Sequence, residues 1–331
     1  MFKKGNQTAP TIYRPVSISS HLIKVFEREI RKKLVQHLED NALVTDSQHG
    51  FRKTRSCLTQ LLHHVDHILK CLNSGDEVDT IYLDYAKAFD KVDHQILLAK
   101  LKKYGITGKA HAWVAEFLTN RFQTVVVEGR KSTFQAVISV VPQGTVLGPL
   151  LFILYINNII EVLKTAKGLC FADDTKLTCA ISGEADHTNL QEDLWRVIAW
   201  SIENNMKLHE SKFEVMNYCL NTTALLRKMP FSSSLYEYST AADAIEETVI
   251  EPAHTVRDLG VHLSVDCSWT KHIQITAKSA SKMAAGVMSV FRERSPLLML
   301  TLFKSMVRSV LEYSCAVWDP SKIAEWRHTS P

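Results

Sequence analysis

GLCFADDTKLTCA, residues 168–180, is the stretch whose reading decides the fold. Apolar and β-forming residues flank the acidic pair Asp173-Asp174, so the segment reads as two strands, 168–172 and 175–180, joined by a tight turn. A second run, VDTIYLD (78–84), is short, apolar and rich in β-formers, which predicts a buried strand ending on Asp84. Placed centrally in one sheet, these strands would bring the three carboxylates to one end.

Outward from that pair, helices and short strands alternate. Leu22, Phe26, Ile30 and Leu34 recur at four-residue spacing after an N-cap at Ser19 or Ser20, predicting an amphipathic helix to about Leu38 with Arg28, Arg31, Lys32 and Lys33 on its other face. Further helices are expected over 57–72, 88–103, 110–119, 149–161 and 186–207, and paired strands over 122–128 and 133–141. A strand at 213–218, an irregular stretch over 220–250 and a hairpin at 255–264 follow. Two helices within 269–318 close the pattern, the second (297–311) strongly apolar. His63, His64 and His67 have helical spacing but no supporting carboxylate or cysteine motif, and read as a solvated helix face.

The 331 residues are 46% apolar and 22% charged, near the globular average, and imply two or three packed lobes. Seven cysteines without a CxxC pair read as reduced thiols of an intracellular protein. MFKKGNQTAP lacks the apolar core of a secretory signal. The longest apolar run, 146–156, falls short of the roughly 18 residues that a membrane span needs, so a soluble chain with no membrane partner is expected. Residues 1–60 hold 11 Lys and Arg against 5 Asp and Glu, and 270–331 hold 9 against 4, whereas 61–269 hold 19 against 26. Basic outer segments around an acidic centre suit a polyanion gripped from both sides while the centre collects cations.

Converging carboxylates need counter-charge, and two Mg²⁺ ions about 3.5–4 Å apart are the usual solution for in-line phosphoryl transfer. Singly, Asp-Asp is an ordinary turn pair and Asp84 an ordinary strand end. The surrounding blocks decide. LDYAKAFDKVDH (83–94), VPQGTVLGPLLFILYINNI (141–159), FADDT (171–175), SKFEVM (211–216) and DLGVHLS (258–264) resemble, in order and spacing, motifs A to E of non-LTR retrotransposon reverse transcriptases. YRPVSISS (13–20) and QHGFRKTRS (48–56) resemble that family's fingers blocks. The resemblance covers roughly residues 1–320 and is strongest to jockey-like polymerases.

It implies an α+β right-hand polymerase: fingers over 1–76, and a palm over 77–218 whose small, mostly antiparallel sheet packs on helices. An irregular segment with a primer-grip-like hairpin (219–268) and a partial, truncated helical thumb (269–331) would follow. It implies RNA-templated DNA synthesis with two Mg²⁺ ions (Mn²⁺ as a substitute), an RNA template, a DNA primer and dNTPs, and an intracellular setting, nuclear by family analogy with the cytoplasm as the alternative. Asp84 and Asp173 would ligate both metals with help from the Tyr85 carbonyl, and Asp174 would complete the negative pocket. Phe89 falls at the steric-gate position, where a ring excludes a ribose 2′-hydroxyl; alone it would read as a core aromatic. Gln143 and Gly144 would contact the nucleotide and let the templating base approach. Arg52, with Lys53 or Arg55, would clamp the triphosphate, and Lys212 would protonate the departing pyrophosphate.

Departures are few. Asn158 replaces the acidic residue usual after YIN, NNMKLHESK alters the polar residue before the motif D lysine block, and the fingers block reads QHGF. No endonuclease precedes and no RNase H follows, which suggests a fragment of a longer reading frame. An active polymerase and a silent relic that only binds nucleic acid both fit the sequence; Phe89 argues against an RNA-synthesising relative.

Overall fold

The computed structural model describes residues 17, 20–119, 121–124, 126–127, 130–137, 139–142, 144–219, 236–240 and 248–318. Gln143, most of the YRPVSISS block, and residues 220–235 and 241–247 of the expected irregular stretch lie outside the described residues. The Ser20 hydroxyl accepts the Ile23 amide and starts α1 (His21–Asp40), and a reciprocal Ser56–Thr59 cap starts α2 (Cys57–Asn73). β1 spans Glu77–Leu83. The helix expected over 88–103 divides into a 3₁₀ turn (Ala88–Lys91) and α3 (His94–Lys103), because the Asp93 carboxylate accepts the Gln95 and Ile96 amides and caps a new helix.

α4 (Gly108–Leu118) leads into two short ribbons. β2 (Phe122–Gln123) pairs with β5 (Gln135–Ala136), and β3 (Val126–Val127) pairs with β4 (Arg130–Lys131), less strand than the alternation promised. α5 (Gly148–Ile156) is buried at every position but Pro149 and runs on as a 3₁₀ helix, Asn157–Val162. β6 (Lys167–Phe171) and β7 (Asp174–Ile181) form the central hairpin. Its turn is Ala172-Asp173, one residue earlier than the expected Asp173-Asp174. Phe171 pairs with Asp174, and Ala172 takes a left-handed φ of 54° that lets the chain reverse in two residues.

α6 (Glu184–Glu203), β8 (Glu214–Tyr218), β9 (Tyr238–Ser239) and β10 (Val249–Ile250) follow. The expected hairpin is β11 (Thr255–Asp258) with β12 (Val261–Ser264). α7 (Thr270–Val290) precedes α8 (Pro296–Leu302), which continues through a π turn, Phe303–Val307, into Arg308–Leu311. Among the described residues no helix is long and apolar enough to cross a membrane.

The central sheet has the order β6-β7-β1-β8, all neighbours antiparallel. Alternation along β1 assigns its faces. Ile81 and Leu83 join the core that α5 and α6 build, whereas Val78 and Tyr82 face α2 and the β11–β12 hairpin. His64, expected on a solvated face, is fully buried there with Nε2 3.0 Å from the Tyr82 hydroxyl, and burial holds its pKa well below the usual value. On the β6 side the chain at Gln48 bridges to Cys170, with His49 N–H donating to the Cys170 carbonyl at 2.9 Å. On the β8 side Ala253 N–H donates to the Val215 carbonyl at 2.8 Å.

The loop into β6 is fixed by Asp193 of α6. Its carboxylate accepts the amides of Lys164, Thr165 and Ala166 at 2.8, 2.9 and 2.7 Å. Burial opposes ionisation of Asp193, but these hydrogen bonds together outweigh it and bring its pKa below the usual value. Asp193→Ala should therefore cost about 3 kcal/mol at pH 7 by orphaning buried donors. Because the folded-state pKa is depressed, the penalty should shrink as the pH falls below about 4, in urea titrations of both proteins.

Candidate active site

The β1–β7 register, with Leu83 opposite Thr175, brings Asp84 and Asp174 to the same end of the sheet, and Asp173 occupies the adjoining turn. Asp84 leaves β1 with its carbonyl accepting the His209 amide at 2.9 Å and its carboxylate 2.7 Å from the Lys212 ammonium. Asp84 and Asp174 line a cavity of about 630 Å³ together with Lys212, Glu251, Arg257 and Asp258. Asp174 is exposed overall. Even so, desolvation of its carboxyl, and then the charges of Asp173, Asp258 and Asp84, push its pKa up to about 6, with Lys176 pulling the other way.

The donor set is hard oxygen, which suits Mg²⁺. Among the described residues, no three acidic, His or Cys side chains converge on one metal-sized point. Lys212 already neutralises Asp84, and Mg²⁺ is commonly held by one or two carboxylates plus substrate phosphates instead of an all-protein cage. Burial first, and then the neighbouring carboxylates, raise the pKa of Asp174; a cation would offset the second of these causes.

Beyond Asp84 the chain is clamped on two sides. Ala86 N–H donates to the Lys207 carbonyl at 2.9 Å, and Val141 N–H donates to the Phe89 carbonyl at 3.0 Å. Tyr85 is buried with its hydroxyl 3.4 Å from Ser201 Oγ, and burial pushes its pKa well above the usual value. Lys87 adopts a left-handed φ of 56°, turning the chain so that the half-buried Phe89 stacks on Phe152 of α5 with centroids 4.1 Å apart. Phe51 meets the same ring edge-on at 6.5 Å. The backbone bond through Val141 therefore ties Phe89 to the 142–148 turn, in which Gly144 takes φ 93°.

The 48–56 block is held by the same hairpin. Gln48 Oε1 accepts both the Gly50 amide (2.7 Å) and the Ala172 amide (2.9 Å). A Cβ on Gly50 would lie 2.4 Å from the Ala172 nitrogen, so only glycine lets this loop lie against the turn beside Asp173. Of the expected triphosphate cations, Arg52 makes a bidentate pair with Glu39 and donates to the Thr45 carbonyl at 2.8 Å, and Arg55 pairs with Asp46 at 3.0 Å. Lys53 is exposed beside them.

The chain belongs to the reverse transcriptase (RNA-dependent DNA polymerase) family, whose model matches residues 2–263. It is 29% identical over 318 residues to the probable RNA-directed DNA polymerase from transposon X-element of Drosophila melanogaster, covering 93% of this chain and 33% of that one. To the RNA-directed DNA polymerase from mobile element jockey of Drosophila funebris it is 28% identical over 272 residues, covering 79% and 28%. The chain thus spans about a third of the length of the curated relatives it matches. Its right-hand α+β fold is shared with telomerase from Candida Tropicalis in complex with a TWJ fragment of telomeric RNA (TM-score 0.50, 10% identity, 89% of this chain and 45% of that one).

Sequence reading missed the charged residue beneath the site. Lys176 lies one strand-repeat beyond Asp174, fully buried, in direct contact with Asp258 of β11 and with its ammonium over the Tyr82 ring. Its signal was there: a lysine alternating with inward positions of an apolar strand. Burial lowers its pKa, and Asp258 pulls it back up. This pair joins the carboxylate hairpin to the β11–β12 hairpin. Lys176→Met should cost about 3–5 kcal/mol by leaving Asp258 buried and unpaired, and combining it with Asp258→Leu should recover most of that in a denaturant double-mutant cycle. Burial of the Asp174 carboxyl, with the carboxylates around it, has its own signature. The folded-state pKa of Asp174 is raised, so the ionised form destabilises the fold at pH above about 6. In EDTA-containing buffer, Asp174→Asn should melt higher than the parent at pH 7.5, and the gain should vanish below about pH 4.

Proposed function

We propose that this chain carries out RNA-templated DNA synthesis from dNTPs, as the polymerase part of a mobile-element protein. The observation that carries the reading is the shared cavity: Asp84 and Asp174 both line it, brought to one end of the β1–β7 pair, with Lys212 bound to Asp84. Residues 1–76 serve as fingers, 77–218 as palm, 219–268 as the primer-grip segment and 269–331 as part of a thumb.

Asp84 and Asp173 would hold two Mg²⁺ ions with the Tyr85 carbonyl, and Asp174 adds negative charge at the rim. When bound, the ions supply Lewis acidity to the primer hydroxyl and to the departing pyrophosphate. The chain's own groups do the rest. Lys212 leaves Asp84 to give its proton to the leaving pyrophosphate. Phe89, fixed by Phe152 behind and Phe51 beside it, has no freedom to retreat from a 2′-hydroxyl. Gln143 and Gly144 receive the nascent base pair, Gly144 with its backbone open to close approach. Because Arg52 and Arg55 are engaged with Glu39 and Asp46, Lys53 makes the first contact with the incoming triphosphate, and the arginines follow by exchanging partners. The basic surfaces at both ends of the chain hold the RNA template and DNA primer through their phosphates.

Primer extension on an RNA template with Mg²⁺ tests this. The parent should extend with dNTPs, and Asp173→Asn should lose at least the roughly 100-fold typical of disturbing a metal site. Phe89→Ala should narrow the dNTP-over-rNTP preference by about 10- to 200-fold, the range a steric pocket supplies. Retained duplex binding without extension by the parent would identify a silent relic, and efficient rNTP use by the parent would overturn the gate.

A further inference from the structure

Glu27 lies outside the chemistry described so far, and its environment is unusual for a carboxylate. It sits in α1 on the stripe that buries Leu34 and Leu38, at helical spacing from both, and is itself 0% exposed. The nearest groups it serves are far along the chain. Its Oε2 accepts the amides of Val146 at 2.7 Å and Leu147 at 3.1 Å, at the entry to α5. Oε1 has no hydrogen-bond partner among the described residues. No ion pair to Glu27 occurs among those residues, though it offsets part of the burial cost on the Arg121 guanidinium.

Burying a charge without an ion pair is costly, and two charge-assisted hydrogen bonds at a helix N-terminus compensate only one oxygen. A local Ser, Thr or Asn would cap α5 without that cost. The next amide, Gly148, is already served in that local way: it donates to Thr145 Oγ1 at 3.1 Å, and Thr145 Oγ1 donates to the Pro142 carbonyl at 2.7 Å. Space around the turn is equally restricted, since a Cβ on Gly148 would lie 2.7 Å from the Pro142 carbonyl oxygen. What Glu27 adds is a fixed distance between a helix at the start of the chain and the 142–148 turn.

We propose that Glu27 is the positioning residue of the 142–148 turn, setting from α1 the place at which Gly144 meets the nascent base pair, and so governing binding of the incoming nucleotide rather than the chemical step. This rests on the polymerase reading given above. The backbone links reinforce it, because the same turn is bonded through Val141 to the carbonyl of Phe89. Movement of the turn would thus displace both the base-pair contact and the gate.

The test uses the full chain with two variants: Glu27→Gln, which keeps an acceptor oxygen, and Glu27→Leu, which removes both. In single-nucleotide extension, Glu27→Leu should raise KM for the correct dNTP about 10-fold, roughly one hydrogen bond's worth of positioning, with kcat changed by less than about threefold. Glu27→Gln should restore KM to within about threefold of the parent. Primer–template affinity, by fluorescence anisotropy, should not change. Parallel falls in kcat and melting temperature without a KM effect, or Gln behaving like Leu, would overturn the proposal. If the parent does not extend primers, the polymerase reading fails, and amide exchange decides the positioning claim separately. Faster exchange at 146–148 in Glu27→Leu, restored in Glu27→Gln and absent from β7, upholds it; unchanged exchange refutes it. Should Glu27→Leu fail to fold, Thr145→Val releases the other brace and must reproduce the rise in KM or in exchange for the claim to stand.

Discussion

The pairing of β1 with β7 is the constraint from which the site follows, because Leu83 opposite Thr175 gives Asp84 and Asp174 no course but the same end of one sheet. A one-residue slip would send Asp84 to the opposite face, among the apolar residues of α5 and α6. Register is held by burial on both faces, with Ile81 and Leu177 on one and Thr80 bonded to Thr178 at 3.2 Å on the other. Burial at this end of the sheet, and after it the neighbouring carboxylates, raise the pKa of Asp174, while Lys212 contacts Asp84. Lys176 and Asp258 put a second, buried pair of opposite charges directly underneath. Acid at the surface, an exposed lysine paired with it and a buried ion pair below form one graded arrangement.

Much of this could be read from the sequence, for identifiable reasons. β1, the central hairpin, α1, α2, α5 and the β11–β12 hairpin each carry a periodicity or turn signal stronger than any competing local preference, and their blocks also resemble a family with known order. The failures fall where tertiary structure overrides local signals. The hairpin turn moved by one residue because Ala172, an unremarkable alanine, takes a left-handed φ that the packing of Gly50 and Gln48 against it demands. The helix over 88–103 split because Asp93 caps, a role its neighbours gave no reason to prefer over ordinary helical interior. The burial of His64 has no local signal because it depends on Tyr82 and Tyr218, residues remote in sequence.

At the site, the aspartates, Phe89 and Gly144 stand in motifs whose residue types announce their chemistry. The supporting charges do not. Glu27 and Lys176 each occupy an apolar register position, where a charged residue looks like noise until its partner is located. The basic RKTR run shows the opposite difficulty. Its residue types suit a triphosphate, yet two of its three cations are occupied by Glu39 and Asp46, acids that no sequence spacing tied to them.

The links that flank the sheet have a consequence for how such a chain survives in solution. A four-stranded sheet offers two rows of unpaired backbone groups, ready templates for another chain's strand. Here the Gln48–Cys170 bridge occupies one border and the bond from Ala253 to Val215 the other, each with only a residue or two of contact. Short, irregular covers of this sort satisfy the outermost carbonyls without extending the ladder, so association through strand addition meets a blunted margin on either side.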